Sequence, residues 1–390
     1  MNEIKLIQSM IKARDLHAAQ ATQDQPAMIG KLAENWTIHG EVTQNIVQKT
    51  ETSTSAKKSF QFVPPMAPSV SINKPRLHDD DQDTLENLVQ IQVNDKINPS
   101  VSSEVYQEYC KNMDQQAANI CLHTVPQAHE FLQTAMEQEL AGLPSWLWAQ
   151  SPEGCDEEKK LFQVIQLVLT DFYANCCRPT PLLPLNERTP FIDHLVPVIK
   201  CYNAVYKMLH MQWGEKGFQS NKFIAICLPS EKQFPKKLVD GIGICVNDRA
   251  ERMIVESSGE EDDDHTVEDT LKIVECSIQC LKMDMANHKY ASFETFRKRR
   301  VLGLQYIGDK LSLLSTGVLN KKEWSCVLER SAIIPRTWRE RKYWIKVFEL
   351  LLRMNTLLQD QLSLSDAIID EDTSSTISKE KTIKYIYNDI

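Results

Sequence analysis

The chain has 390 residues, 42% hydrophobic and 25% charged, enough to bury a substantial core in one or two globular domains. No window approaches the roughly 18 consecutive apolar residues of a membrane span, and charge interrupts the opening MNEIKLIQSMIKARDLHAAQ too often for a signal peptide, so the expectation is an intracellular protein without membrane association. A net charge of −9 gives no global attraction to nucleic acid, and the 11 cysteines, with no C-x2-C pair, read as reduced and mostly buried thiols rather than zinc ligands.

In chain order, IKLIQSMIKARDLHAA, after Asn2 and Glu3, has the spacing of one isolated amphipathic helix, a docking segment if it has a function. Residues 20–100 are rich in Gln, Thr, Ser, Asn and Asp and include QFVPPMAPSV and HDDDQD, so a polar, mostly disordered arm is expected over 1–104. Apolar density then rises. EVYQEYCKNMDQQAANICLH and PQAHEFLQTAMEQELAGLPSWLWAQ read as helices, and Leu161, Val164, Ile165, Val168 and Phe172 recur at the spacing of a core-facing helix. NERTPFIDHLVPVIKCYNAVYKML makes another, with Asn186 as its cap, Pro190 tolerated in the first turn, and Pro197 expected to open it locally.

FIAICL at 223–228 and the two apolar runs of VDGIGICVNDRAERMIVE at 239–256 read as strands. Thr266, with Asp269 three residues on, imitates a capping box before a stripe of Val267, Leu271, Val274, Ile278, Leu281 and Met285. VLGLQYI, KLSLLSTGVL and EWSCVLERSAII suggest a meander that Pro335 ends. A last helix carries Trp344, Val347, Phe348, Leu351, Met354 and Leu358 on one face, and 363–390 reads as a flexible polar tail. The order implies an α/β fold, with a helical lead-in from 105 and a domain reaching 362.

The 239–256 stretch raises a chemical question. If its two runs form a hairpin centred on Asp248, Asp240 lies opposite Glu256 on one face. Like charges so placed are destabilising, and more so in a sheet as apolar as Ile242, Ile244, Ile254 and Val255 imply. A divalent cation is the simplest compensation, since Mg2+ takes hard oxygen ligands from one or two carboxylates and fills the rest with water and phosphate.

An acidic residue on a helix, Glu187 in NERTPFID, an Asp-Gly opening one hairpin strand, Asp240 in VDGIGI, and a Glu closing the next, Glu256 in MIVESSGE, together resemble the PD-(D/E)XK, or restriction-endonuclease-like, nuclease superfamily. The resemblance covers residues 158–362 and implies a mixed central sheet flanked by helices, with Glu187, Asp240 and Glu256 holding Mg2+ or Mn2+. It also implies a Lys two positions beyond the strand Glu, where this chain has Ser258. Some members are thought to carry that Lys on the following helix, which makes Lys272 in HTVEDTLKIVE the substitute; otherwise Lys272 is a solvated helix residue.

Other candidates are less specific. GEEDDDH at 259–265 lacks the alternating order of an EF-hand and reads as a solvated acidic loop, with His265 a polar neighbour of the helix. RKRR at 297–300 and RTWRERKYWIK from Arg336 interleave cations and aromatics, as phosphate-binding or nuclear-targeting surfaces do, or are the exposed flanks of a strand and a helix. Two functions remain open: a metal-dependent phosphodiesterase acting on DNA, nuclear rather than cytoplasmic, or a non-catalytic nuclease-fold module that binds nucleic acid or protein, with protein partners reached through the N-terminal arm.

Overall fold

The computed structural model describes residues 88–152, 154–179, 188–222, 237–258, 263–374 and 376–387, without the side chains of 263–266. In chain order these form strand β1 (Val89–Gln92), helices α1 (Ser103–Ala117), α2 (Pro126–Met136), α3 (Leu143–Ala149), α4 (Asp156–Cys176) and α5 (Val196–Tyr206), and strands β2 (Leu209–Gly217), β3 (Leu238–Cys245) and β4 (Glu251–Ser258). Helix α6 (Asp263–Asn287), the meander β5 (Arg300–Ile307), β6 (Lys310–Val318) and β7 (Trp324–Ile333), and helix α7 (Trp344–Ser374) complete the order. The fold is α/β, as expected. The expected Asn186 cap, the FIAICL run, the Thr266 cap, the acidic loop side chains with His265, and the N-terminal helix lie outside the described residues.

The sheet runs β1-β7-β6-β5-β4-β3-β2 and is mixed. β2, β3 and β4 pair antiparallel, as do β5, β6 and β7, whereas β4–β5 and β1–β7 are parallel. A parallel pair cannot be closed by a tight turn and needs a crossover. For β4 and β5 that crossover is α6, which therefore lies against the sheet beside both strands.

Helices cover both faces. On one, the α4 stripe of Leu161, Val164, Ile165, Val168 and Phe172 and the α7 stripe of Trp344, Val347, Phe348, Leu351, Met354 and Leu358 pack on Met253, Val255, Leu302, Leu304 and Tyr306. On the other, Ile273, Val274 and Leu281 of α6 pack on Ile242, Ile254, Val301 and Leu314. Each such buried side chain contributes roughly 1.5–3 kcal/mol relative to exposure. Val267 departs from the expected α6 stripe and is exposed, while Cys276 and Cys280 are buried, so the helix is enclosed on more than one side.

The break expected at Pro197 is a π-helical turn over Phe191–Leu195 that leads into α5. Proline has no N–H to give the carbonyl four residues back, which is that of Asp193. Asn175 Nδ2 supplies the missing donor, 3.1 Å from Asp193 O.

Three expectations are corrected. The polar arm does not extend to 104, because Val89–Gln92 pairs with Trp324–Val327 as an edge strand and α1 begins at Ser103; residues 1–87 lie outside the described residues. LHMQWGEKG, which was not expected as a strand and whose first residue closes the expected helix NERTPFIDHLVPVIKCYNAVYKML, is strand β2. The tail is not free after 362: α7 continues to Ser374, Ile383 N donates to Ala291 O (3.0 Å), and Ile368, Ile383 and Tyr387 join the core under α6. Among the described residues no helix is long and apolar enough to cross a membrane. The described cysteines are free thiols, with Cys245, Cys276, Cys280 and Cys326 buried and Cys155 and Cys177 exposed.

Candidate functional site

Hairpin register sets the geometry. Gly241 pairs with Val255, Ile242 with Ile254 and Gly243 with Met253, and the pairing slips only closer to the turn. Asp240 and Glu256 are the next step of that register, and because faces alternate along a strand they share the side of Ile242 and Ile254, under α6. Glu256 lies beside Gln305 of β5, and Gln305 beside Ser312 of β6. A polar row of Asp240, Glu256, Gln305 and Ser312 thus follows an apolar row of Ile242, Ile254, Gly303 and Leu314 on the same face.

Helix α6 meets that row with two side chains. Lys272 Nζ lies 2.8 Å from Glu256 Oε1. Thr270 Oγ1 accepts from Gln305 Nε2 (2.9 Å) and donates to Gln305 Oε1 (3.2 Å). On the hairpin, Asp240 Oδ2 accepts from the Ser257 amide at 2.9 Å, which holds the carboxylate at the end of β4. Glu256 itself is only 2% exposed.

Burial dominates the Glu256 carboxyl and pushes its pKa up to about 8; Lys272 pulls it down, while Asp240 and Asp269 push it further up. Burial opposes the Lys272 charge too, but Glu256, with Cys276 and Asp240, holds the ammonium above its ordinary range. Lys272 therefore keeps its proton, and Glu256 readily takes one. One ammonium does not compensate two adjacent carboxylates in this environment.

A second cation suits what is left over. Glu256 Oε1 is buried, and the cation described beside it is Lys272, at 2.8 Å. A buried carboxylate pair that shares one cation keeps part of its desolvation cost. Among the described residues no group of three or more His, Cys, Asp and Glu could hold a metal, and Asp240 and Glu256 are the carboxylates that any cation at this place would meet. Two hard carboxylates suit Mg2+ or Mn2+, which complete their shell with water and phosphate.

Of the residues singled out in the sequence, Asp240, Glu256 and Lys272 come together, and Glu187 lies outside the described residues. Gln305 and Thr270 were not anticipated. Gln305 carried a signal, as a long polar residue inside the apolar run VLGLQYI, but its partner is on another element.

Part of each basic run is drawn into the structure. Arg299 of RKRR is fully buried, with Nε 3.0 Å from Asp284 Oδ2 and Nη1 donating to Gln361 O at 3.0 Å, and Arg300 Nη1 donates to the Arg297 carbonyl at 2.7 Å. In RTWRERKYWIK, Arg336 Nη2 donates to Gly308 O, and Arg341 lies over the Trp338 ring and donates to Met136 O at 2.6 Å. Lys346 donates to Gln116 O at 2.6 Å, where it caps the end of α1. These five cations bind the chain's own carbonyls and carboxylates, whereas Lys298, Arg339 and Lys342 of the same runs are exposed. Comparison with family models, with curated proteins and with solved structures finds no match.

Proposed function

We propose that the protein is a divalent-metal-dependent phosphodiester hydrolase acting on DNA, built on a restriction-endonuclease-like core in which Lys272 stands in for the Lys missing at Ser258. The observation that carries this reading is the approach of Lys272 Nζ to 2.8 Å from Glu256 Oε1, with Asp240 on the same face of the hairpin. Its support is chemical: two carboxylates that a single ammonium does not neutralise, and a lysine that is 27% exposed along its side chain while its ammonium meets Glu256.

Asp240 and Glu256 would hold Mg2+ or Mn2+, which when bound lowers the pKa of water and neutralises charge on phosphate oxygens. Asp240 is held in place by the Ser257 amide. Glu256, as a carboxylate, orients the Lys272 ammonium, and Lys272 donates to an oxygen of the attacking water or the phosphate, lending positive charge as negative charge develops. Burial of Glu256 under α6 limits water around it and strengthens each of these interactions.

The test is cleavage of single- and double-stranded DNA with each metal. Glu256→Ala and Lys272→Ala should each abolish turnover while circular dichroism stays unchanged, because groups that act as one unit fail together. One observation favours a second reading, a non-catalytic module: Glu256 is almost fully enclosed and already has a cationic neighbour. Absence of cleavage on both DNA and RNA with either metal would make that reading the better one.

A further inference from the structure

Lys272 reaches Glu256 only if α6 lies at one height above the sheet and at one position along it. Two features set these, and both lie within the neighbouring residues of the helix. Directly after Lys272, Ile273 is fully buried over Gly303 of β5, where a Cβ would lie 2.5 Å from Ile273 Cγ2 and 3.4 Å from Leu314 Cβ. A β-branched side chain in a helix has essentially one rotamer, so Ile273 cannot turn aside. Any side chain at 303 would lift the helix instead. Two residues before Lys272, Thr270 exchanges hydrogen bonds with Gln305, the residue beside Glu256 in the parallel register.

We propose that Gly303 and the Thr270–Gln305 pair are positioning residues, which seat α6 close to the sheet and index it along β5 so that the Lys272 ammonium meets Glu256. The catalytic consequence rests on the functional reading above, whereas the positioning does not. Gly303 sits beside Ile254 and Gln305 beside Glu256, so the two contacts repeat the two-residue step that separates the apolar row from the polar row. The small residue sets height and the amide–hydroxyl pair sets register. Lifting α6 by about an ångström, the distance needed to restore ordinary contact at position 303, takes a 2.8 Å ion pair beyond hydrogen-bond range. Among the described residues, Lys237 also lies beside this part of α6, but it is engaged with Glu275.

The test reads Lys272 directly. Full-length wild type, Gly303→Ala, Thr270→Val and Thr270→Ser are labelled with limiting acetic anhydride, and each lysine's acetylation is followed by mass spectrometry. An amine held by a charged partner reacts more slowly, so Gly303→Ala and Thr270→Val should each raise Lys272 labelling about tenfold. Thr270→Ser keeps the hydroxyl and should stay at the wild-type rate, and Lys346, held on the end of α1, should not change in any variant. Unchanged Lys272 labelling in Thr270→Val overturns the proposal, even if Gly303→Ala fails to fold; so does a parallel rise at Lys346, which marks general loosening. If the wild type cleaves DNA, Thr270→Val should lower kcat with KM unchanged and Thr270→Ser should restore it. If the wild type does not cleave, the functional reading fails and the labelling still decides the positioning.

Discussion

Two clusters of buried charge lie along α6, and they are composed differently. Toward its C-terminal end, Arg252 bridges Asp284 (2.8 Å) and Asp248 (2.7 Å), and Arg299 Nε approaches Asp284 at 3.0 Å, so two guanidinium groups face two carboxylates. Toward its N-terminal end, Lys272 is the one cation among the described residues that faces Glu256 and Asp240. Burial opposes ionisation in both. In the matched cluster it loses: despite it, Arg252 and Arg299 hold Asp284 below the usual carboxylate range, Arg252 does the same for Asp248, and Arg299, pushed by burial down to about 10, is still charged at neutral pH. In the unmatched cluster burial wins, and Glu256 rises to about 8. A matched cluster is a structural staple joining β4, α6, the start of β5 and α7, whereas an unmatched one has unused capacity for a proton or a metal.

The largest expected effect lies in the matched cluster. Asp284→Asn leaves two buried guanidinium groups short of a carboxylate and should cost about 3–5 kcal/mol in urea unfolding; a loss under about 1 kcal/mol would remove the distinction between the clusters. Glu256→Gln should do the opposite. The raised pKa of Glu256 means that its stabilising contribution is full below the unfolded value of 4.5 and is lost as pH rises through about 8. Asp248 and Asp284, being lowered, contribute above their ordinary value of 3.8 and fail only toward acid. Relative to wild type, Glu256→Gln should therefore gain up to about 4 kcal/mol between pH 5 and pH 8.5, measured by chemical denaturation across that range. A flat difference would show that Glu256 is ionised throughout.

Metal response sharpens the comparison further. Holding a cation requires Glu256 to give up its proton, so affinity should rise up to tenfold per pH unit below about 8. Millimolar Mn2+ should then raise Tm more at pH 8.5 than at pH 6.5, by an amount equivalent to about 1 kcal/mol, and not at all in Glu256→Gln. An equal shift in that variant would place the metal elsewhere. The smallest effect is at the edge of the matched cluster, where Ser365 Oγ donates to Asp248 at 2.8 Å and accepts from Arg299 at 3.0 Å. Ser365→Ala should cost only about 0.5–1.5 kcal/mol, because it removes a neutral group and leaves the charge balance intact.

Local pattern was enough wherever neighbours in sequence carry the signal. The stripes of α4 and α7 and the β5–β7 meander could be read from periodicity, because a face buried along its whole length repeats its apolar residues at the period of its own backbone. The opposition of Asp240 and Glu256 was anticipated from a hairpin centred on Asp248, but the turn alone does not produce it: beside the turn Ile244 pairs with Glu251, and a one-residue slip at Gly243 restores the register that sets Gly241 opposite Val255. What depends on distant partners was not readable. Strand β1 is four residues whose pairing partner is β7, more than 200 positions away; β2 is a polar edge strand; and the tail is ordered by contacts at Ala291 and Lys289. RKRR looks the same as a sequence whether or not Asp284 is there to draw Arg299 inside.

The candidate site divides along the same line. Sequence alone determined which residue types were at hand and that Lys272 sits on the helix after the hairpin, both consequences of short-range geometry, whereas the shared face of the two carboxylates also needed the slip at Gly243. Only the tertiary structure decided that Lys272 meets Glu256. A helix is free to lie at many heights and angles over a sheet until side chains from both surfaces interlock. Here the absence of a side chain at Gly303 and the pairing of Thr270 with Gln305 select one of them.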